Sequence, residues 1–266
     1  MTKNLRSPLT LVIAACLIAA GWGVQADEEG DGINAAGTQP VYLLAAAGKG
    51  AGSDDYVEDE DEDTDIEIPD PLYYWNYGWY VVNDNLFLYL LDPTARGYAK
   101  VMPEPARESV KNFFVNLTMP VRFVSCVFQG RMADAGNELK VFGVNTTVGV
   151  LGLMNPARDR YFMDDISEED VGQSFAVWGM GHGFYMVLPI FGPSSLRDGV
   201  GLVGDILLTP TTYLPFPGSI IAGTTKAVNN ISLSLGDYQN IKDAAVNPYD
   251  SFRDIFLQYR AEKVRQ

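Results

Sequence analysis

The sequence has little of what metal and disulfide chemistry requires. Its 266 residues include one histidine, His182, and two cysteines, Cys16 and Cys126. Cys16 lies in an N-terminal apolar segment, where it would be either removed or acylated, so Cys126 is the only thiol expected in the mature chain. Metal centres need several histidine, cysteine or carboxylate ligands close together. We therefore expect no intrachain disulfide, no metal site and no cofactor.

Positive charge is also scarce. The chain has 19 lysines and arginines against 34 acids, a formal net charge of −15. Nucleic-acid binding needs an excess of basic residues, so nucleic acid is excluded as an expected partner. The acids are concentrated, since residues 27–70 hold fifteen acids and one lysine. We predict that residues 27–69 form an acidic disordered spacer and that the nearly neutral residues 70–266 form the folded domain.

Long hydrophobic runs are missing as well. The apolar stretch at residues 9–20 is too short to span a bilayer. It follows Lys3 and Arg6 and precedes Val24-Gln25-Ala26, a small-residue cleavage site, so residues 1–26 are predicted to be a signal peptide. In the disfavoured alternative, cleavage occurs before Cys16 and this cysteine carries a lipid anchor, which would leave the apolar centre only about half as long.

Helical periodicity dominates the remaining sequence. A first helix is predicted from Asp70-Pro71 to Asp92-Pro93, with Asn76 on a face away from its apolar stripe. Residues on that stripe are expected to face core or lipid: Trp75, Trp79, Val82, Leu86, Tyr89 and Leu90. Further helices are predicted at 105–117, 121–128, 133–142, 197–208, 226–237 and from 248 onward. The predicted fold class is all-α, built from amphipathic helices, with residues 158–172 as a surface connection.

One segment has a different character. Residues 144–157, with the sequence VNTTVGVLGLMNPA, are small, uncharged and spaced by glycines. A hairpin or a re-entrant loop fits this pattern better than a helix does. Such a segment can lie beside a lipid tail without removing a charge from water.

The only histidine lies in residues 179–198, GMGHGFYMVLPIFGPSSLRD. His182 could act as a base, Ser194 or Ser195 as a nucleophile and Asp198 as the group that orients the base. The serines do not sit in the Gly-x-Ser-x-Gly pattern of hydrolases, and the glycines lack the strand–helix context of a dinucleotide site. Capping of a helix that begins near residue 196 explains the serines better, so the chain is predicted not to be an enzyme.

Several blocks, in order, resemble one family, the MlaA/VacJ outer-membrane phospholipid transport proteins. The resemblance runs from residue 70 to about residue 260. The blocks that carry it are DPLYYWNYGWYVVND, YAKVMPEPARESVKNFFVNLTMPVRFVSCVFQG, FGVNTTVGVLGLMNPA, DVGQSFAVWGMGHGFYMVLPIFGPSSLRD and NPYDSFRDIFLQYR. The chain departs from the family in its poor lipobox, its long acidic spacer and Trp75-Asn76, where many members have Phe-Asn.

The resemblance implies a ring-like set of interfacial helices at the periplasmic face of the outer membrane. Such a protein would remove misplaced phospholipids from the outer leaflet, pass them to a periplasmic carrier protein and associate with a trimeric porin. It also implies a channel wall at residues Asn145, Thr146, Thr147, Gly149, Gly152 and Leu153. Membrane-facing or gating roles are expected for Trp75, Asn76 and Trp79. The alternatives are a porin-associated scaffold without a lipid path and a lipid esterase.

The processing of the N-terminus gives the first testable prediction. We expect the mature chain to begin at Asp27 without acylation, because Ala26 ends the small-residue cleavage site. Intact-mass spectrometry of protein purified from membranes measures this directly. A mature chain that begins at an acylated Cys16 would contradict the prediction.

Overall fold

The computed structural model describes residues 70–161 and 169–265. The predicted signal peptide, Cys16 and the acidic spacer lie outside these residues and stay predictions. Within the described part of the chain helices predominate, with one short two-stranded sheet, so the all-α prediction is confirmed. No described helix is both long enough and apolar enough to cross a bilayer.

The elements follow one another along the chain with short connections. The helices of the first half are α1 (Tyr73–Leu86), a π-helical segment (Phe87–Leu91), α2 (Asp92–Val101), α3 (Glu104–Leu117), α4 (Met119–Phe128), α5 (Met132–Thr147) and α6 (Pro156–Asp159). The second half contains α7 (Val171–Val177), β1 (Tyr185–Leu188), β2 (Gly192–Ser195), α8 (Leu196–Leu208), a 3-10 turn (Pro210–Tyr213), α9 (Gly218–Leu233), α10 (Asp237–Ala244) and α11 (Pro248–Arg265).

The first helix does not end at Asp92-Pro93, and that prediction was wrong. The backbone widens into the π-helical segment, in which the N–H of Asp92 donates to the carbonyl of Phe87, and α2 then continues to Val101. Pro93 falls in the first turn of α2, where a missing N–H is tolerated. The π-helical segment thus allows the helical backbone to continue through Pro93.

The stripe of α1 that was expected to face core or lipid is divided, and asparagines occupy the buried side of the helix. Asn76 is 0% exposed and Asn83 is buried, whereas Trp75 is 53% exposed and Val82 is also exposed. Trp79 is half-buried and packs against the core. The asparagines face inward because the neighbouring element offers them backbone partners.

Those partners belong to the hairpin formed by β1 and β2. The strands pair antiparallel from Tyr185 opposite Ser195 to Leu188 opposite Gly192. Asn76 accepts from the N–H of Val187 at 2.7 Å and donates to the carbonyl of Tyr185 at 3.1 Å. One side chain thereby replaces the missing strand neighbour on this edge of β1.

Asn83 repeats the arrangement two turns along α1. Its Oδ1 accepts from the N–H of Ile190 at 2.7 Å, and its Nδ2 donates to the carbonyl of Leu188 at 3.0 Å. The hairpin of this fold therefore lies within residues 179–198. Residues 144–157, where the sequence predicted a hairpin or a re-entrant loop, contain no strand.

The helices form a closed circuit of contacts. α1 packs on β1, the hairpin packs on α8 and α11, and both of these helices pack on α7. α7 packs on α4, α4 on α3, α3 on α9, and α9 on α2, which continues α1 through the π-helical segment. This circuit gives the ring-like arrangement of helices that was expected.

An aromatic core fills the side of the ring where α1, the hairpin and α11 meet. Tyr238 stacks on Phe252 with ring centroids 5.0 Å apart, and Phe87 lies 4.2 Å from Tyr238. Phe252 and Phe256, four residues apart on α11, are both buried in this core. Such pairs add to the free energy gained from burying their area.

The hydrogen bonds of Asn76 give a stability prediction. Asn76→Ala removes its bonds to β1 and to Asp70 and leaves a buried N–H of β1 unsatisfied. We expect the free energy of unfolding to fall by about 3 kcal/mol. Chemical denaturation in detergent measures this change.

Asn85→Ala is the matched control, because Asn85 is exposed and donates only to the carbonyl of Val81 in its own helix. We expect this variant to unfold within about 0.5 kcal/mol of the parent. Equal stabilities for the two variants would show that Asn76 does not hold the hairpin.

Candidate functional site

The predicted channel wall begins as a helix. α5 extends to Thr147, so Asn145, Thr146 and Thr147 form its last turn and were wrongly assigned to a hairpin. The chain then passes through a tight turn at residues 148–154 and enters α6. The result is a helix–turn–helix unit, because the helical hydrogen bonds of α5 continue to the N–H of Val148.

Asn145 and Thr146, which were predicted to line the channel wall, form hydrogen bonds that hold this turn in place. Asn145 is buried, donates to Oδ1 of Asn155 at 2.9 Å and accepts from the N–H of Ala157 at 3.1 Å. Thr146 accepts from Nδ2 of Asn116 in α3 at 2.9 Å. The exposed Thr147 donates to the carbonyl of its own helix one turn earlier. The turn is therefore fixed to α3 and α6 by side-chain amides.

The two glycines of the turn, Gly149 and Gly152, allow close packing. A Cβ on Gly152, whose φ is +89°, would lie 2.4 Å from Cβ of Asn116. A Cβ on Gly149 would lie 2.5 Å from the carbonyl oxygens of Asn145 and Met154. Any larger residue would therefore collide with Asn116 of α3 at position 152 and with the backbone around the turn at position 149.

Strained, exposed apolar residues form the tip of the turn. Val150 and Leu151 have φ values of 54° and 60°, which β-branched and bulky side chains rarely adopt. Strain of this kind persists only where the surroundings impose it, and it concentrates at functional sites. The apolar side chains exposed here are Val148, Val150, Leu151, Leu153 and Met154.

Apolar exposure continues on other elements of the ring. One face of α8 carries an exposed stripe made of Leu196, Val200, Val203 and Leu207. Other large exposed side chains include Tyr74, Trp75, Val82, Tyr89, Trp178, Tyr213, Phe216 and Ile221. A water-soluble monomer seldom exposes so many, and patches of this kind mark membrane or protein contacts.

The interior, by contrast, holds charged groups. Arg260 of α11 is 2% exposed and donates to Asp170 at 2.6 Å and to Asp198 at 2.7 Å. Burial disfavours the charge of Asp198, but the positive charges of Arg260 and Arg197 outweigh this and hold its pKa well below the usual value. Burial and the charge of Asp170 raise the pKa of Asp205 well above the usual value.

Sequence reasoning missed this network. It placed residues 158–172 on the surface, but Glu169 and Asp170 are buried, as is Arg260. A signal was present, because Arg260 continues the four-residue spacing of Phe252 and Phe256 on the inward face of α11.

The residues of the esterase hypothesis have other partners. Ser195 accepts from the N–H of Asp198 at 3.1 Å and caps α8, as predicted. Ser194 donates to the carbonyl of Ser195, and the Asp198 carboxylate pairs with Arg260. Nδ1 of His182 is buried and has no hydrogen-bond partner among the described residues. Burial and the charge of Arg197 lower the pKa of His182. Because neither serine bonds to His182 among the described residues, they do not form a Ser–His–Asp relay.

A second charged group lies between α4, α5 and α9. Arg122 donates to Glu138 at 3.0 Å, and both side chains are buried. Lys226 of α9 is 7% exposed and makes no hydrogen bond or ion pair within the described part of the chain. Burial, with a smaller contribution from the positive charge of Arg122, lowers the pKa of Lys226 to about 8.

Comparison with known proteins now decides the family. The family model described as MlaA lipoprotein matches residues 68–263. The chain belongs to the MlaA lipoprotein family. The family resemblance seen in the sequence blocks is thereby confirmed, and the match spans every described helix of the ring except the last residues of α11.

Named relatives of this MlaA chain come from several bacteria. Proteins called "Intermembrane phospholipid transport system lipoprotein MlaA" are 28% identical over 196 residues in Shigella flexneri and 25% identical over 197 residues in Haemophilus influenzae. Each alignment covers 71% of this chain, and they cover 76% and 75% of the two relatives.

A solved structure has a similar fold. It was reported under the words "Structural basis for maintenance of bacterial outer membrane lipid asymmetry" and superposes with a TM-score of 0.64 at 26% sequence identity. The match covers 74% of this chain and 99% of the other.

The unpaired lysine gives a prediction on stability and pH. The pKa of Lys226 falls from 10.5 to about 8 on folding, so the folded state binds this proton more weakly than the unfolded state. At neutral pH this costs about 3 kcal/mol, and the cost shrinks as pH rises from 8 to 10.5. Lys226→Met should therefore unfold at a higher temperature than the parent at pH 7, with a smaller difference near pH 10.

Calorimetry at pH 7 and pH 10, in detergent and without multivalent anions, measures the difference. Lys100→Met serves as the control, because Lys100 is exposed. A Lys226→Met protein that melts below the parent at pH 7 would show that the buried ammonium is paired.

Proposed function

We propose that this chain is the outer-membrane component of a retrograde phospholipid transport system. It removes misplaced phospholipids from the outer leaflet and passes them to a periplasmic carrier, which maintains the lipid asymmetry of the membrane. The family, the names of the relatives and the similarity to a solved structure concerned with outer-membrane lipid asymmetry support this proposal. The reaction is transport and forms no covalent bond to the lipid.

The observation that carries the proposal is the inverted distribution of polarity. Charged side chains such as Arg260, Glu138 and Lys226 are buried, while aromatic and aliphatic side chains are exposed on α1, α8 and the turn at 148–154. In a lipid surrounding, polar groups must find partners inside the protein, whereas apolar groups lose nothing by facing outward. A lipid-embedded ring needs this distribution.

The turn at residues 148–154 is the proposed wall of the lipid path. Its tip is apolar and can contact acyl chains, and its amides hold it rigidly on α3 and α6. Thr147 supplies an exposed hydroxyl at the edge of the same tip. Leu153 and the strained Val150 and Leu151 are the side chains that we assign to tail contact.

The remaining assignments concern surroundings and partners. We propose that Trp75 faces the membrane and that Asn76, through its bonds to β1, sets the position of the hairpin. The exposed stripe of α8 faces lipid or a trimeric porin at the periplasmic face of the outer membrane. The name of the family includes lipoprotein, and the mass of the mature chain decides whether Cys16 is the anchor.

A charge on the apolar surface tests the proposal. Val203 is exposed in the middle of the α8 stripe, and Val203→Asp places a carboxylate where lipid is expected. We expect a cost of about 2 kcal/mol for membrane association. Less protein should be recovered with outer membranes, and cells should become sensitive to SDS with EDTA and accumulate phospholipid in the outer leaflet.

Asn240→Asp is the matched control, since it adds the same charge at an exposed position of α10, a helix of low hydropathy. This variant should behave as the parent. If Val203→Asp protein also fractionates normally and protects the membrane, the α8 face contacts water. If it leaves the membrane but the barrier and lipid content stay normal, lipid transport is the wrong function.

A further inference from the structure

Two buried side chains of α9, Lys226 and Asn230, carry polar atoms without partners in the described chain. Lys226 is only 7% exposed. Its Nζ nevertheless makes no hydrogen bond or ion pair with any described residue. Oδ1 of Asn230, one helical turn further on, is buried and likewise lacks a partner in the described chain. Residues four apart on a helix lie about 6 Å from each other on the same face. The face therefore offers donors and an acceptor side by side.

The neighbouring charged pair of α4 and α5 does not neutralise the lysine. Arg122 of α4 donates to Glu138, to the carbonyl of Val115 at 3.0 Å and to the hydroxyl of Thr118 at 3.1 Å. Glu138 is thus bonded to Arg122, and the charge that acts on Lys226 is the like charge of Arg122. Arg122 thus has Glu138 as its counter-ion, whereas Lys226 has none among the described residues, although a buried charge usually has one.

A buried lysine without a counter-ion lowers the stability of the folded protein. Exceptions of this kind are expected at functional sites, where a ligand can supply the missing partner. We propose that Lys226, with Arg122 beside it, binds the phosphodiester anion of a phospholipid inside the ring, and that Asn230 accepts a hydrogen bond from the rest of the headgroup. This inference rests on the proposed function and assigns it a headgroup subsite. Free inorganic phosphate has the same anionic chemistry and is the alternative source.

The chemistry of the two side chains fits such a ligand. An ammonium offers three donors to phosphate oxygens, and its bond to an anion is stronger in a site that excludes water. An ethanolamine ammonium or a glycerol hydroxyl follows the phosphate in common headgroups, and either can donate to Oδ1 of Asn230. The exposed apolar side chains of the turn at 148–154 remain available for the tails.

Binding of paired lipids to the full-length protein in detergent tests the proposal. The probes are fluorescent phosphatidylethanolamine and diacylglycerol with the same acyl chains and label. We expect Lys226→Met to weaken phosphatidylethanolamine binding at least tenfold and to leave diacylglycerol binding unchanged. Lys226→Arg should retain most of the affinity, and Lys100→Met, at an exposed position, should match the parent.

The outcomes separate the subsite from the function. A parent protein that binds neither lipid would refute the lipid-transport function itself. Parent protein that binds phosphatidylethanolamine with an affinity unaffected by Lys226→Met would leave the function intact and overturn the subsite. Displacement of the phospholipid by inorganic phosphate in the parent, but not in Lys226→Met, supports the subsite. Phosphate binding that depends on Lys226 without any effect on phospholipid assigns the site to free phosphate and refutes the headgroup assignment.

Discussion

The guanidinium of Arg260 joins three parts of the ring, and the closure of the fold depends on this interaction. It donates to Asp170, which also caps α7, and to Asp198 in the first turn of α8, while Arg260 itself belongs to α11. Charge-assisted bonds are strong in an interior that excludes water, and removal of one partner leaves a buried charge. The last helix is therefore held to the ring by charge, in addition to the aromatic core.

The need of buried polar groups for partners also determines the structure around α1 and the hairpin. Asn76 and Asn83 point inward because the edge of β1 would otherwise carry unsatisfied backbone groups. Trp75 and Val82, on the other side of α1, are consequently turned outward and exposed. The orientation of α1 therefore places hydrogen-bonding groups inside and apolar side chains outside. Both features suit a protein that lies in lipid.

Sequence patterns predicted the helices well and their orientation poorly. A period of 3.6 residues shows which side chains share a face, but it does not show which face lies inside. The stripe at Trp75 and Val82 could therefore be assigned only to core or lipid, and in the structure these two residues are exposed while asparagines occupy the buried side. The last helix obeyed the usual rule, since Phe252 and Phe256 are buried.

Long-range contacts account for the other errors. The bonds between Asn116 and Thr146, and between Arg260 and Asp170, join residues 30 and 90 positions apart, which no local pattern encodes. Helix capping is local, and Ser195 was correctly predicted as a cap. The turn at 148–154 was recognised by its composition, but its rigid attachment to α3 depends on a residue from another helix.

The central claim is that a ring with a polar interior and an apolar exterior carries phospholipid. Its most direct test is mass spectrometry of lipids extracted from the full-length protein purified in mild detergent. A control preparation of an unrelated outer-membrane protein corrects for lipid carried over non-specifically. The account predicts phospholipid at a ratio near one per chain, above the control. Protein that stays monodisperse without detergent and contains no phospholipid above the control would contradict it.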